Sequence, residues 1–141
     1  MINYYMEEAI NQAKKAYKNG EIPVGAVIVY DNKIIAKSYN KVEKEKIAVS
    51  HAEINAIKIA AKKLKNWRLL DCDMYVTLEP CPMCSWAIKL SRIRNVYYCT
   101  SKSEDENNKY LVISTKCGLI KRTNVCEFEN IRKNGKIDIT L

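Results

Sequence analysis

With 141 residues, 48% of them hydrophobic and 28% charged, the chain fits one domain, residues 1–141, that can bury a core without cross-links, which excludes disordered, collagenous and multidomain readings. Its uncharged apolar stretches, such as the eight residues Pro23 to Tyr30, fall far short of the roughly 20 needed to cross a bilayer, so no membrane span and no membrane partner is expected. Lys and Arg outnumber Asp and Glu by 24 to 16, and the resulting formal charge of +8 favours an anionic partner such as nucleic acid or phosphate. The opening residues, Met1 to Glu8, have neither a basic start nor an apolar run before a small-residue cleavage site, which makes the expected compartment cytoplasmic. There the six cysteines are expected to be reduced, some of them on metal, rather than paired as disulfides.

In chain order, Tyr5, Met6, Ala9, Ile10, Ala13, Ala16 and Tyr17 recur at spacings of three and four, predicting an amphipathic helix over residues 5–17 that Asn19-Gly20 closes. Gly25 to Tyr30 and Lys33 to Tyr39 are β-rich runs joined by Asp31-Asn32, a pair that tolerates positive φ, so they predict an antiparallel hairpin. Lys41 to Lys46 reads as a charged loop. Ser50 then precedes Ile54, Ile57, Ala61 and Leu64, the stripe of a second helix. Asp73 to Leu78, Pro82 to Leu90 and Asn95 to Thr100 read as strand, helix and strand, an alternation that implies a mostly parallel sheet covered by helices. Residues 101–109 form a polar loop, and periodicity leaves 110–116 open between helix and strand. At the end Asn134-Gly135 is expected to turn into a short final strand.

The chemistry concentrates at the single histidine, His51, which lies two residues before Glu53 and thirty before Cys81-Pro82-Met83-Cys84. One imidazole and two thiolates suit Zn²⁺, and Cys at i and i+3 on the first turn of a helix can reach one ion. Three protein ligands leave a fourth position for water, as in catalytic zinc sites; closure by another cysteine, or a plain buried thiol pair, are the alternatives. Both segments begin helices, with Ser50 as a cap and Pro82 at a first helical position, so two positive helix ends would face the metal and favour thiolate. Ser50-His51-Ala52-Glu53 is also a capping-box pattern, in which Glu53 would only satisfy the helix start. A zinc ion lying over that helix end would instead put Glu53 within reach of proton transfer between water and a substrate nitrogen.

His51-Ala52-Glu53 followed by Pro80-Cys81-Pro82-Met83-Cys84 resembles the zinc-dependent nucleobase deaminases. The likeness is greatest to the bacterial tRNA-specific adenosine deaminases and runs over residues 5–98, through Glu21 to Val27, Tyr75 to Cys81 and Ser91-Arg92-Ile93. The resemblance implies a three-layer α/β/α fold of the cytidine-deaminase type, with a mixed central sheet of about five strands. It implies one zinc per chain on His51, Cys81 and Cys84, proton transfer by Glu53, and conversion of adenosine to inosine at the wobble position of a tRNA anticodon loop. It further implies that Asn40 hydrogen-bonds the base between Val24 and Leu78, for which core packing is the alternative, and that the protein is a homodimer.

Beyond residue 100 the chain departs from that pattern: Glu104-Asp105-Glu106 would repel a phosphate backbone if they faced it, and Ile131 to Ile137 stand where the family has a basic aromatic helix. Two other functions therefore stand beside the first. One keeps the reaction but takes a free base, nucleoside or nucleotide of the guanine or cytosine type. The other is a non-catalytic, zinc-stabilised binding module, against which Glu53 and the open position argue. Lys89, Arg92 and Arg94, after the zinc helix, fit a phosphate-bearing substrate or a solvated face.

Overall fold

The structure is a computed structural model that describes residues 2–100, 110–114 and 120–124. Its elements are α1 (Ile2–Lys18), β1 (Gly25–Tyr30), β2 (Lys33–Tyr39), α2 (Val42–Glu45), α3 (Ala52–Leu64), β3 (Cys72–Leu78), α4 (Pro82–Leu90), β4 (Asn95–Thr100), β5 (Tyr110–Ser114) and β6 (Ile120–Asn124). The strands form one mixed sheet in the order β2-β1-β3-β4-β5-β6. Six strands stand where about five were expected, because Tyr110–Ser114, which periodicity left open, is a strand against β4 and is followed by β6. The expected loop at 101–109 and the final turn at Asn134-Gly135 lie outside the described residues.

Local chemistry accounts for the boundaries. Helix α1 ends as Asn19-Gly20 foretells: Gly20 takes φ +74°, its N–H bonds Tyr17 O at 3.1 Å, and the Glu21 N–H reaches Ala16 O at 3.0 Å, which satisfies two final carbonyls. Asp31 and Asn32 turn the β1–β2 hairpin with φ of 49° and 58°. The expectation of a mostly parallel sheet is corrected. Only β3 and β4 run parallel, joined through α4, while β1–β2, β1–β3, β4–β5 and β5–β6 are antiparallel. A single strand–helix–strand unit creates a single parallel pair, and hairpins flank it. The loop expected at Lys41 to Lys46 contains the one-turn helix α2, because the buried Glu21 carboxylate accepts the Glu43 N–H at 2.6 Å and holds that turn closed.

Alternate side chains of the central strands enter two cores. On one face Ala26, Ile28, Met74, Val76, Val96 and Tyr98 pack with Ala52, Ala56 and Ala60 of α3 and Ile88 of α4. On the other, Val27, Val29, Tyr75 and Tyr97 pack with Tyr5, Met6 and Ala9 of α1. The result is the expected three-layer α/β/α arrangement. Tyr75 and Tyr97 stack with ring centres 4.7 Å apart, and Tyr5 lies 5.2 Å from Tyr75. At the start of β3 and β4, Arg94 forks onto Asp73 at 2.8 and 3.0 Å.

Helix α1 lies close against the sheet at Gly25, where a Cβ would be 2.1 Å from Ala9 O and 2.4 Å from Ala13 N. These are backbone atoms of a packed helix and cannot turn aside. Gly25→Ala is expected to destabilise the fold by about 3 kcal/mol or more, lowering the thermal midpoint by roughly 10 °C. A midpoint within about 2 °C of the parent would show that α1 slides freely on the sheet.

Candidate metal centre

The C-terminal end of β3 and the starts of α3 and α4 come together at one edge of the sheet. Each helix begins with a prospective ligand. His51 is the N-cap of α3, with φ −74° and ψ 155°, and Cys81 is the N-cap of α4, with φ −67° and ψ 168°. Pro82 occupies the first turn of α4, where its missing N–H costs no helix bond. The Cys84 N–H points back at Cys81 Sγ over 3.5 Å, so this sulfur does the work of a capping oxygen.

Among the described residues, His51, Cys81 and Cys84 form a group of donors that all lie within 4.8 Å of one another. His51 Nδ1 is 3.6 Å from Cys81 Sγ and 3.4 Å from Cys84 Sγ. Tetrahedral zinc bonds of about 2.3 Å to sulfur and about 2.0–2.1 Å to nitrogen would hold N and S about 3.5 Å apart. The donor types and their spacing therefore fit one zinc ion. Cys72, which could have closed the site as a fourth ligand, is wholly buried at the opposite, N-terminal end of β3.

Two local expectations need correction. Ser50 does not cap α3: His51 takes the N-cap place, and the Ser50 hydroxyl donates to Glu45 Oε2 instead. The capping box is thus not formed through Ser50, which removes the reading of Glu53 as that box's partner. Nor do the helix ends prevail at both thiols. Cys84 is fully buried, and its thiol is pushed far above the ordinary range, first by burial and then by the negative charge of Glu53. Ionisation of Cys84 is thereby disfavoured, and a bound cation would supply the attraction that opposes this.

The same effect locates Glu53. It is 4% exposed and close enough to Cys84 to act on it by charge and by hydrogen bonding, so the carboxylate lies against the donor cluster rather than in solvent. Asn40, also buried, follows β2 on the same edge. Its N–H bonds Val24 O at 3.0 Å, its Nδ2 approaches Ile22 O at 3.5 Å, and its Oδ1 accepts from Val42 N at 3.4 Å. Val24 is buried in the core and Leu78 is half-buried against it, so both pack as core residues while standing at the edge where β1 starts and β3 ends. Arg94 does not face this edge: its guanidinium is engaged by Asp73, and Lys89 lies 5.0 Å over the exposed Trp86 ring.

A His-Cys-Cys donor set with a buried glutamate, on helix starts over one edge of a mixed sheet, defines a zinc-site domain of the deaminase type. The chain belongs to the cytidine and deoxycytidylate deaminase zinc-binding family, whose pattern matches residues 1–100. It is 50% identical over 94 residues to a tRNA-specific adenosine deaminase of Bacillus subtilis, covering 67% of this chain and 58% of that protein. The corresponding Aquifex aeolicus protein is 48% identical over 95 residues, covering 67% and 63%. The match thus spans about three-fifths of these relatives' length. Among solved structures, a tRNA:A34 deaminase of A-to-I editing at the wobble position superposes with a TM-score of 0.71 at 41% identity, covering 72% of this chain and 74% of the other. A guanine deaminase from Bacillus subtilis gives 0.68 at 38%, covering 70% and 64%.

Metal analysis of the purified protein is expected to give one zinc per chain, and the Cys81→Ala, Cys84→Ala double variant is expected to hold none. Full zinc content in that variant would place the ion elsewhere.

Proposed function

We propose that the protein hydrolyses adenosine to inosine at the wobble position of a tRNA anticodon loop, with His51, Cys81 and Cys84 holding zinc and Glu53 moving the proton. The observation that carries this reading is the buried Glu53 carboxylate placed against a donor cluster of three, a neighbour that a purely structural zinc site does not need. Bound zinc would supply the Lewis acidity that makes a water molecule nucleophilic near neutral pH. Glu53 would take a proton from the attacking water and deliver it to the leaving nitrogen. Over the whole reaction the C6–N bond of adenine breaks, a C6–O bond forms, and ammonia leaves as water is consumed.

Position supports the remaining assignments. Asn40 lies at the same sheet edge with its amide held by Val42 and Ile22, which suits a group that would orient a base, and Val24 and Leu78 at that edge would offer it apolar surface. The two bacterial relatives at 48% and 50% identity, together with the +8 charge, support RNA as the carrier of that base. A cytoplasmic homodimer belongs to the same reading. No described helix is long and apolar enough to cross a membrane. The guanine deaminase, which superposes nearly as well as the tRNA deaminase, favours a second reading in which a free base is the substrate.

Two experiments test these assignments. Glu53→Gln keeps the shape and the zinc ligands but removes the carboxylate, and its turnover is expected to fall by about 10² or more with zinc content intact. Turnover near the parent value would remove Glu53 from the chemistry. Sequencing of tRNA treated with the enzyme is expected to show adenosine read as inosine at an anticodon first position, and tRNA binding is expected to weaken with salt with a log–log slope of several units. Ammonia release from guanine or another free base, with the tRNA unchanged, would establish the second reading instead.

A further inference from the structure

His51 Nδ1 lies 3.4–3.6 Å from two sulfurs, yet His51, the N-cap of α3, makes no capping hydrogen bond with its own side chain. What holds that backbone lies on either side of it. Asn55, one turn along α3, bonds both flanking carbonyls: its side-chain Nδ2 donates to Ser50 O at 3.3 Å, and its backbone N–H donates to His51 O at 3.0 Å. The same Nδ2 also donates to Ser50 Oγ at 3.0 Å. The Ser50 hydroxyl, 2% exposed, passes the connection on to Glu45 Oε2 at 2.5 Å, and the Lys41 N–H closes the loop on Ser50 O at 3.0 Å. Glu45 is the last residue of α2, whose own start is tied to the buried Glu21.

We propose that Glu45, Ser50 and Asn55 form a positioning unit for His51, which sets how long the metal is retained. The proposal rests on the reading of His51 as a zinc ligand. Ser50 and Asn55 fix the peptide groups around His51, and Glu45 accepts from the Ser50 hydroxyl, whose oxygen Asn55 Nδ2 also holds, so that all three side chains brace one another. A charged residue on the surface thereby acts on a buried site without touching it. Groups that orient a ligand in this way commonly change metal affinity by about 10–100-fold when removed.

The test follows zinc transfer from the loaded protein to an excess of a chromophoric chelator. Glu45 is an exposed residue, so Glu45→Ala is expected to fold with the parent's circular-dichroism spectrum while releasing zinc about tenfold faster. Glu45→Gln keeps an oxygen that can accept the Ser50 bond and is expected to stay within about threefold of the parent. Ser50→Ala is expected to release zinc at least as fast as Glu45→Ala. Release within about twofold of the parent in either alanine variant would overturn the proposal, as would equal acceleration in Glu45→Gln and Glu45→Ala. His51→Ala separates the two levels of inference. Loss of zinc there with unchanged release from Glu45→Ala would remove only the positioning unit, whereas full zinc content in His51→Ala would remove the ligand assignment and the unit with it.

Discussion

Three donor atoms from segments thirty residues apart converge to within 4.8 Å only because two helices begin at the same edge of one sheet. The parallel pair β3–β4 forces its crossover helix, α4, to start where β3 ends, which delivers Cys81 and Cys84. The antiparallel pairing of β1 with β3 brings the start of β1 and, through the hairpin, the end of β2 to that same edge. From the end of β2 the chain crosses α2 and enters α3 at His51. The site is a consequence of strand direction.

Burial of the cluster has a cost that the metal offsets. A thiol as deeply placed as that of Cys84 resists ionisation, and the neighbouring Glu53 carboxylate raises the resistance further. Two negative sulfurs and a carboxylate would repel one another in this space. A divalent cation reverses the balance by attracting all three. The charge of Glu53, unfavourable beside bare thiols, would become favourable beside a cation.

The two faces of the sheet divide the structural work. The α3/α4 face uses alanines at positions 52, 56 and 60 to let α3 lie close over β1 and β2, which keeps the head of that helix at the sheet edge. The α1 face uses tyrosines from three elements, 5, 75 and 97, whose rings pack on one another. The contact at Gly25 explains why α1 reaches the sheet at the very residue where β1 starts, next to Val24 and the site edge. At the far end of the sheet the Arg94–Asp73 fork fixes β3 against β4, so a cation that sequence position alone associates with the site serves the register of the strands instead.

Residue patterning and turn chemistry made β1, β2, α4 and β4 legible to the residue, because their signals are local: runs of β-branched and aromatic residues, an Asp-Asn turn, a proline at a helix start. The donor set was legible for a similar reason, since histidine and cysteine in this spacing have few other uses. The rest depended on contacts between distant segments. Whether Ser50 capped α3 or bonded Glu45 turned on where the preceding loop ran; α2 formed because Glu21, twenty-two residues earlier, supplied its missing acceptor. The ionisation of Cys84 was decided by depth and by Glu53, and neither is a property of C-x-x-C. The sequence by itself determined which groups were available for chemistry and which stretches alternated or turned. The tertiary structure decided which of those groups met, because hydrogen-bond partners and burial are set by the packing of elements that the chain separates.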